Sequence, residues 1–334
     1  MKAWEAARNA LENVLEAVPG ESIFILCDEE KKEVGAAFAE GALKRSLWTR
    51  LMILETSKEA RKEIPLHLLE VLSHQKPDIY VNLMRDLREE TPFRMKITKL
   101  ETRDRRARLG HCPGISMGML TEGALALKTE EHKRMQGFAE KLSYALEGTM
   151  KIELYSSAGT RLSLSVEERP FFTDTKLDWK AMKWMNLPTG EVIVAPVENS
   201  LSGRLVCDMA IGGLGLIKTP VEISVKDGKA EKIKTKNKVL LRGVEDTFAT
   251  DEWSNIVGEF AFGINPKAKL VEEFLEAEKI FGTVHIAFGG NTDMPRGKNP
   301  SKNHMDFLMN KPIVKIIKEN GKAATILKDG SFKI

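Results

Sequence analysis

Cysteine is the first thing this chain is short of. Its 334 residues contain only Cys27, Cys112 and Cys207, far apart and with no C-x-x-C pair. An odd, scattered set builds neither a disulfide framework nor a thiolate metal site, so the three read as small core residues in a reduced, cytoplasmic setting. Long apolar runs are missing too: no stretch approaches the roughly 20 residues a membrane span needs. The opening MKAWEAARNALENVLEAV is amphipathic and carries glutamates, unlike a secretory signal. Charge of one sign is also missing. With 51 basic against 48 acidic residues the net charge is +3, which offers no footing for a nucleic acid or a membrane as partner. Finally, neither G-x-G-x-x-G nor a P-loop follows any of the strands predicted below, which removes the usual phosphate-binding turns.

What is present suits a folded protein. Apolar residues make up 42% and charged residues 30%, enough for a sizeable core. The length suggests about two domains, because single cores stop growing at roughly 250–300 residues. High Lys and Glu content with few Gln is a thermophile-like composition.

In chain order, residues 3–18 predict a helix with Ala7, Leu11, Val14, Leu15 and Val18 on one face. Pro19-Gly20 stops it. SIFILC (22–27), WTRLMILE (48–55) and DIYVNL (78–83) read as buried strands, with helices over Lys31–Ser46 and through Leu68 to Ser73 between them. Asp28, Glu29 and Glu30 are placed to cap the first of those helices. Strand and helix alternate, so this half reads as a parallel α/β sheet serving as a scaffold. The basic stretch 102–115 ends at a Pro-Gly turn, and His111 just before it reads as an exposed loop or helix-end histidine. A helix carrying Met117, Met119, Leu120 and Leu125 follows, then one over 130–147. The boundary is expected near 120–150, giving an α/β scaffold over 1–130 and a β-rich domain over 131–334.

Beyond residue 150 the segments MKIELYSS, TRLSLSV, GEVIVAP, GRLVCDMA, VEISVKDGKAEKIKT and KVLL are short and alternating or β-branched, as in hairpins. Asp227-Gly228 is a strong two-residue turn signal, and the chain ends in another Asp-Gly hairpin. Residues 269–280 interrupt with a helix-like pattern.

Chemistry concentrates in this half. His304 and Asp306 form an H-x-D pair, and in a strand residues two apart project to one face. Imidazole and carboxylate are the usual ligands of Zn²⁺, Fe²⁺, Mn²⁺ and Co²⁺. His285 ends an apolar run and opens a Gly/Asn/Pro-rich loop. Glu191 in NLPTGEV and Glu259 in VGEFAFG each head a β-branched or aromatic strand, where a charge is costly to bury unless paired or metal-bound. Glu276 and Glu278 lie just upstream of His285. Three carboxylates and two imidazoles are enough for two divalent ions about 3.5–4 Å apart with one carboxylate bridging, a pair able to polarise a carbonyl and generate hydroxide near neutral pH.

The motifs NLPTGEV, VGEFAFGINPKA, EKIFGTVHIAFGGN and NPSKNHMDFLM, over residues 186–310, resemble the M29 family of thermophilic metallo-aminopeptidases, the aminopeptidase T and S type. The resemblance implies that Glu191, His304 and Asp306 serve one ion, that Glu259 bridges, and that His285 with Glu278 holds the second. Glu276 is the alternative to Glu278. It further implies a β-rich catalytic domain, zinc or cobalt as metals with manganese or iron as options, a homodimer, and removal of N-terminal residues from peptides. A carboxylate, Glu191 or Glu259, would act as general base. Family members carry a Tyr seven residues after the histidine matching His285; here that position is Thr292. Arg296, Lys298 and Lys302 in the same loop could supply positive charge instead. Two other readings stay open. A ring-cleaving dioxygenase of dihydroxypyridine resembles the same family and needs only two histidines and one carboxylate around a single Fe²⁺; His285, His304 and Asp306 would suffice. A catalytically decayed member is the other.

Overall fold

The structure, a computed structural model, describes residues 1–103, 107–178 and 184–334, with Arg88 described in its backbone only. Asp104, Arg105 and Arg106 of the basic stretch lie outside the described residues. The chain forms two compact units: Met1–Gln136 with Asp174–Thr189, and Gly137–Thr173 with Gly190–Ile334.

The first unit is the expected parallel α/β sheet. Its strands lie in the order Trp48–Leu54, Ser22–Asp28, Ile79–Leu83, Arg108–His111, Trp184–Asn186, each pair parallel. Strand Ser22–Asp28 is buried almost throughout because helices cover both faces. Ala3–Asn13 and Lys32–Lys44 pack with Ile23, Ile25 and Cys27 on one side. Leu66–His74 and Thr91–Glu101 pack with Phe24 and Leu26 on the other. The last strand belongs to a segment that returns to this unit after an excursion into the second.

Several expectations are corrected here. The first helix stops at Asn13, and Val18 is 51% exposed. Glu16 takes a left-handed φ of 51°, and the carbonyls of Leu15 and Glu16 accept from the Arg108 guanidinium instead of continuing the helix. Asp28 caps no helix; its carboxylate is ion-paired to Arg61 and accepts from the Arg85 backbone N–H. His111 is neither exposed nor at a helix end. It is buried on a central strand, with Nδ1 against the Asn82 side-chain oxygen and Trp184 edge-on to its ring. Burial first, and Arg94 second, hold its pKa near 3, so it is a neutral core histidine. Leu125 lies beyond the helix Met117–Thr121 but is buried all the same.

The second unit is built on two antiparallel sheets of eight and seven strands. The Asp227-Gly228 and Asp329-Gly330 hairpins form as read. KVLL, expected as a strand, opens the helix Lys238–Phe248 instead. The Asn237 side chain accepts from the N–H groups of Val239 and Leu240, and this cap starts the helix. The helix expected over 269–280 contracts to Phe274–Ala277.

The seven-stranded sheet positions the site. Four neighbouring strands are Glu191–Val194, Val257–Gly263, Val284–Gly289 and His304–Met309. Each alternates. On one face stand Glu191, Glu259, His285, His304 and Asp306; on the other, Phe260, Phe262, Ile286, Phe288 and Phe307 are fully buried. Phe260 and Phe262 meet edge-on at 5.0 Å, and Phe288 and Phe307 at 5.8 Å. The aromatic layer anchors the strands, which holds the polar face in place.

Candidate metal centre

Register brings the polar side chains together. His285 pairs with Ala261, Ala287 with Glu259 and with Asp306, and Gly263 with Glu191. Paired residues of an antiparallel ladder point to the same face. The positions between the ligand-type side chains are therefore Ala261, Gly263, Ala287 and Gly289, whose small side chains leave room over the sheet. Gly263 has a second role. A Cβ there would come within 2.2 Å of the Ile280 carbonyl and 2.8 Å of the Glu278 carbonyl, so only glycine lets the Glu278–Ile280 turn lie against the sheet. The Asn265 N–H to Lys279 carbonyl bond, 2.8 Å, holds the turn there.

Glu259 is the hub. Its Oε1 lies 3.1 Å from His285 Nε2 and its Oε2 lies 3.2 Å from His304 Nε2. His285 Nε2 also faces Glu191 Oε1 at 3.3 Å and Asp306 Oδ1 at 3.9 Å. His304 Nε2 is 3.3 Å from Asp306 Oδ1. The His304 Nδ1 contacts the Gly290 carbonyl at 2.8 Å. A carbonyl only accepts, so Nδ1 carries the proton and Nε2 is the atom turned to the cluster. Potential ligand atoms lie within 4.8 Å of one another in three groups: Glu191, Glu259 and His285; Glu259, His304 and Asp306; and Glu278, His285 and Asp306.

All six residues expected at the site are thus adjacent. Glu191 stands with His285 and Glu259 rather than with the His304–Asp306 pair. Glu276 is turned away, accepting from the Lys269 backbone N–H. Thr292, Lys298 and Lys302 are exposed, and the Arg296 guanidinium goes to the Glu168 carbonyl. Lys279 was not foreseen. It is 1% exposed, and its ammonium is ion-paired to Glu191 Oε2 and, at 2.8 Å, to Glu278 Oε1. In sequence it is one charge in EAEK, which reads as a solvated helix face. The apolar Ile280 and Phe281 that follow were the available signal that this turn packs inward.

Electrostatics test what the cluster suits. Among the described residues four carboxylates, Glu191, Glu259, Glu278 and Asp306, converge with one ammonium, Lys279. Burial would raise the Glu259 carboxyl, but bonds from His285 and His304 outweigh it and hold the group below the usual carboxylate range. Burial pushes Glu278 up to about 8, with Glu191 and Asp306 adding and Lys279 opposing. Burial disfavours charge on both imidazoles, yet the surrounding carboxylates raise His285, and raise His304 well above its ordinary value. The rise of both imidazoles, and the part of the Glu278 rise that comes from Glu191 and Asp306, report an excess of negative charge at the cluster. A single imidazole Nε2 facing three carboxylates can donate to only one of them. Oxygen and imidazole donors without a thiolate are the set that Zn²⁺, Co²⁺, Mn²⁺ or Fe²⁺ accepts, so the residues fit a divalent metal centre.

Residues 128–332 match the family described as thermophilic metalloprotease (M29). No curated protein matches the chain significantly. Among solved structures, the chain is similar to wild-type AmpT from Thermus thermophilus, at 17% identity and a TM-score of 0.73, covering 99% of both chains. It is also similar to 2,5-dihydroxypyridine dioxygenase from Pseudomonas putida KT2440, at 16% identity and a TM-score of 0.71, covering 99% of this chain and 96% of that one. At such identities these likenesses establish the shared fold.

Proposed function

The chain belongs to the thermophilic metalloprotease (M29) family, and from that premise we propose that it is an aminopeptidase that removes N-terminal residues from peptides at a two-metal centre. The observation that carries this reading is Glu259, whose two oxygens face two different histidines, the geometry of a bridging carboxylate. A mononuclear oxygenase needs one carboxylate, whereas four converge here.

Glu259, His304 and Asp306 would hold one ion, and Glu191, His285 and Glu278, with Glu259 shared, the other. Such ions polarise a peptide carbonyl and bring the pKa of a bound water toward neutrality. The chain's residues supply the rest. Glu259 has both oxygens engaged and acts as a holding group. Glu191 has Oε2 clamped by Lys279 and Oε1 turned into the cluster, so it is the better placed of the two to take the proton from the attacking water. The His304 side chain, 34% exposed, and Asp306 mark the side open to a peptide, while His285 at 1% and Glu191 at 4% form the floor.

The test pairs metal content with product analysis. Protein loaded with Zn²⁺ or Co²⁺ should bind two ions per chain and release amino acids from peptides with a free N-terminus, but not from acetylated ones. Absence of cleavage across a broad panel with both ions bound sinks the peptidase reading. One iron per chain with ring cleavage of a dihydroxypyridine replaces it with the oxygenase.

A further inference from the structure

We infer that Lys279 makes the two halves of the centre unequal: its ammonium acts as an internal cation on Glu191 and Glu278, so the outer half takes its ion tightly and the inner half takes its ion weakly, against Lys279. The inference rests on the two-ion reading and deepens it.

Three observations meet. First, the Lys279 ammonium is ion-paired to the inner carboxylates, Glu191 Oε2 and Glu278 Oε1, and reaches them from a turn held against Gly263. Second, the outer trio of Glu259, His304 and Asp306 has no ammonium or guanidinium within ion-pairing distance among the described residues. Third, burial differs. The side chains of Lys279, Glu191 and His285 are 2%, 4% and 1% exposed, whereas that of His304 is 34% exposed. A divalent ion coordinated at about 2 Å by Glu191 and Glu278 would lie on the order of 4 Å from the ammonium. Repulsion at that range is strong in a site shielded from water and weak across a solvated one. The inner ion must also bind beside carboxylates whose charge the ammonium already partly neutralises, while the outer ion meets no fixed cation among the described residues. Lys279 is on this account a positioning residue. It holds Glu191 and Glu278 in place and sets the order of loading, without touching substrate. The outer ion binds first, on the side open to the peptide, and the inner one completes the centre at higher metal concentration.

The test is a stepwise titration of metal-free protein with Zn²⁺ against a chromophoric chelator, and with Co²⁺ followed by its visible spectrum. Wild type should show two steps at least tenfold apart in affinity. Lys279→Met should tighten the weaker step about tenfold or more and leave the tighter one within about threefold. Lys279→Arg, which keeps the charge, should keep the steps apart. Equal steps in wild type, or a weaker step that Lys279→Met loosens or leaves alone, overturns the inference and leaves the two-ion reading standing. One equivalent bound by wild type and Lys279→Met alike overturns both. Should Lys279→Met fail to fold, anomalous diffraction from wild-type crystals given one equivalent of Co²⁺ decides. Density beside Glu259, His304 and Asp306 supports unequal halves. Density beside Glu191, Glu278 and His285 overturns them.

Discussion

Each unit buries a cluster of carboxylates, and the two clusters are balanced in opposite ways. In the first unit Asp28 and Glu90 meet Arg61 and Arg85, two anions against two guanidiniums. Arg61 reaches both acids at once, with Nε and Nη2 on the two oxygens of Glu90. Burial would raise Glu90, but the bonds from Arg85 and Arg61 hold it at about 2. That network balances its charges among the described residues. In the second unit, among the described residues, Glu191, Glu259, Glu278 and Asp306 lie near one ammonium, which is paired to Glu191 and Glu278, and the two imidazoles are drawn toward charge. The lesson is that burial of acids does not mark a functional site; the sign of the unmet charge does. A closed network holds a fold together, whereas an open one of carboxylate and imidazole offers ligands.

The largest effect that would break this contrast comes from Glu259→Gln. Removing the shared carboxylate should abolish peptide hydrolysis and cost one or both ions, read by metal analysis of the folded protein. Activity retained with two ions bound would remove Glu259 from the centre. Arg61→Met should do the reverse. It leaves Asp28 without a guanidinium and Glu90 with Arg85 alone, costing about 3–5 kcal/mol in the denaturant transition of the first unit, with metal content unchanged. Chelation sharpens the contrast from the other side. Ions free at a hundredfold over their Kd stabilise by about 2.7 kcal/mol, so EDTA should lower the transition of the second unit by that amount and spare that of the first.

Acid–base behaviour separates closed polar sites of two kinds within the first unit. Burial holds Glu101 at about 8, up from 4.5, with the Asn82 hydrogen bond opposing. The folded chain keeps a proton that the unfolded chain releases. Stability therefore falls as pH rises from about 4.5 to about 8, by about 1.4 kcal/mol per unit, and levels off above. Glu101→Gln should flatten that slope. Glu90 runs the other way: its contribution is present above about 4.5 and is lost as pH falls toward about 2. Urea melts across this range check both. The smallest change, Asn237→Ala, should cost about 1 kcal/mol by uncapping its helix and alter neither cluster.

Much of the centre was legible because it is written in strands. In HMDFLM polar and apolar residues alternate, so His304 and Asp306 share a face without knowledge of the tertiary structure, whereas His285, read as opening a loop, lies inside the strand Val284–Gly289 and joins that face only through register. The parallel scaffold was legible for a similar reason, from apolar runs spaced by helical segments. KVLL failed because four apolar and cationic residues carry no period, and the cap at Asn237 decided between strand and helix. His111 failed because a histidine beside Pro-Gly looks like a loop, while its burial depends on Asn82 and Trp184, 29 and 73 positions away.

By itself, then, the sequence determined the first three strands of the parallel scaffold, the alternation that puts His304 and Asp306 on one face, and the supply of imidazoles and carboxylates of metal-ligand type. These follow from local backbone geometry, which each segment carries with it. The tertiary structure alone decided the partners. Strand register set Glu191 beside His285, the close approach at Gly263 brought the Glu278 turn onto the sheet, and that turn carried Lys279 into the cluster. Residues 88 positions apart meet there because the sheet brings their strands and turns together, and no periodicity in the chain encodes that contact.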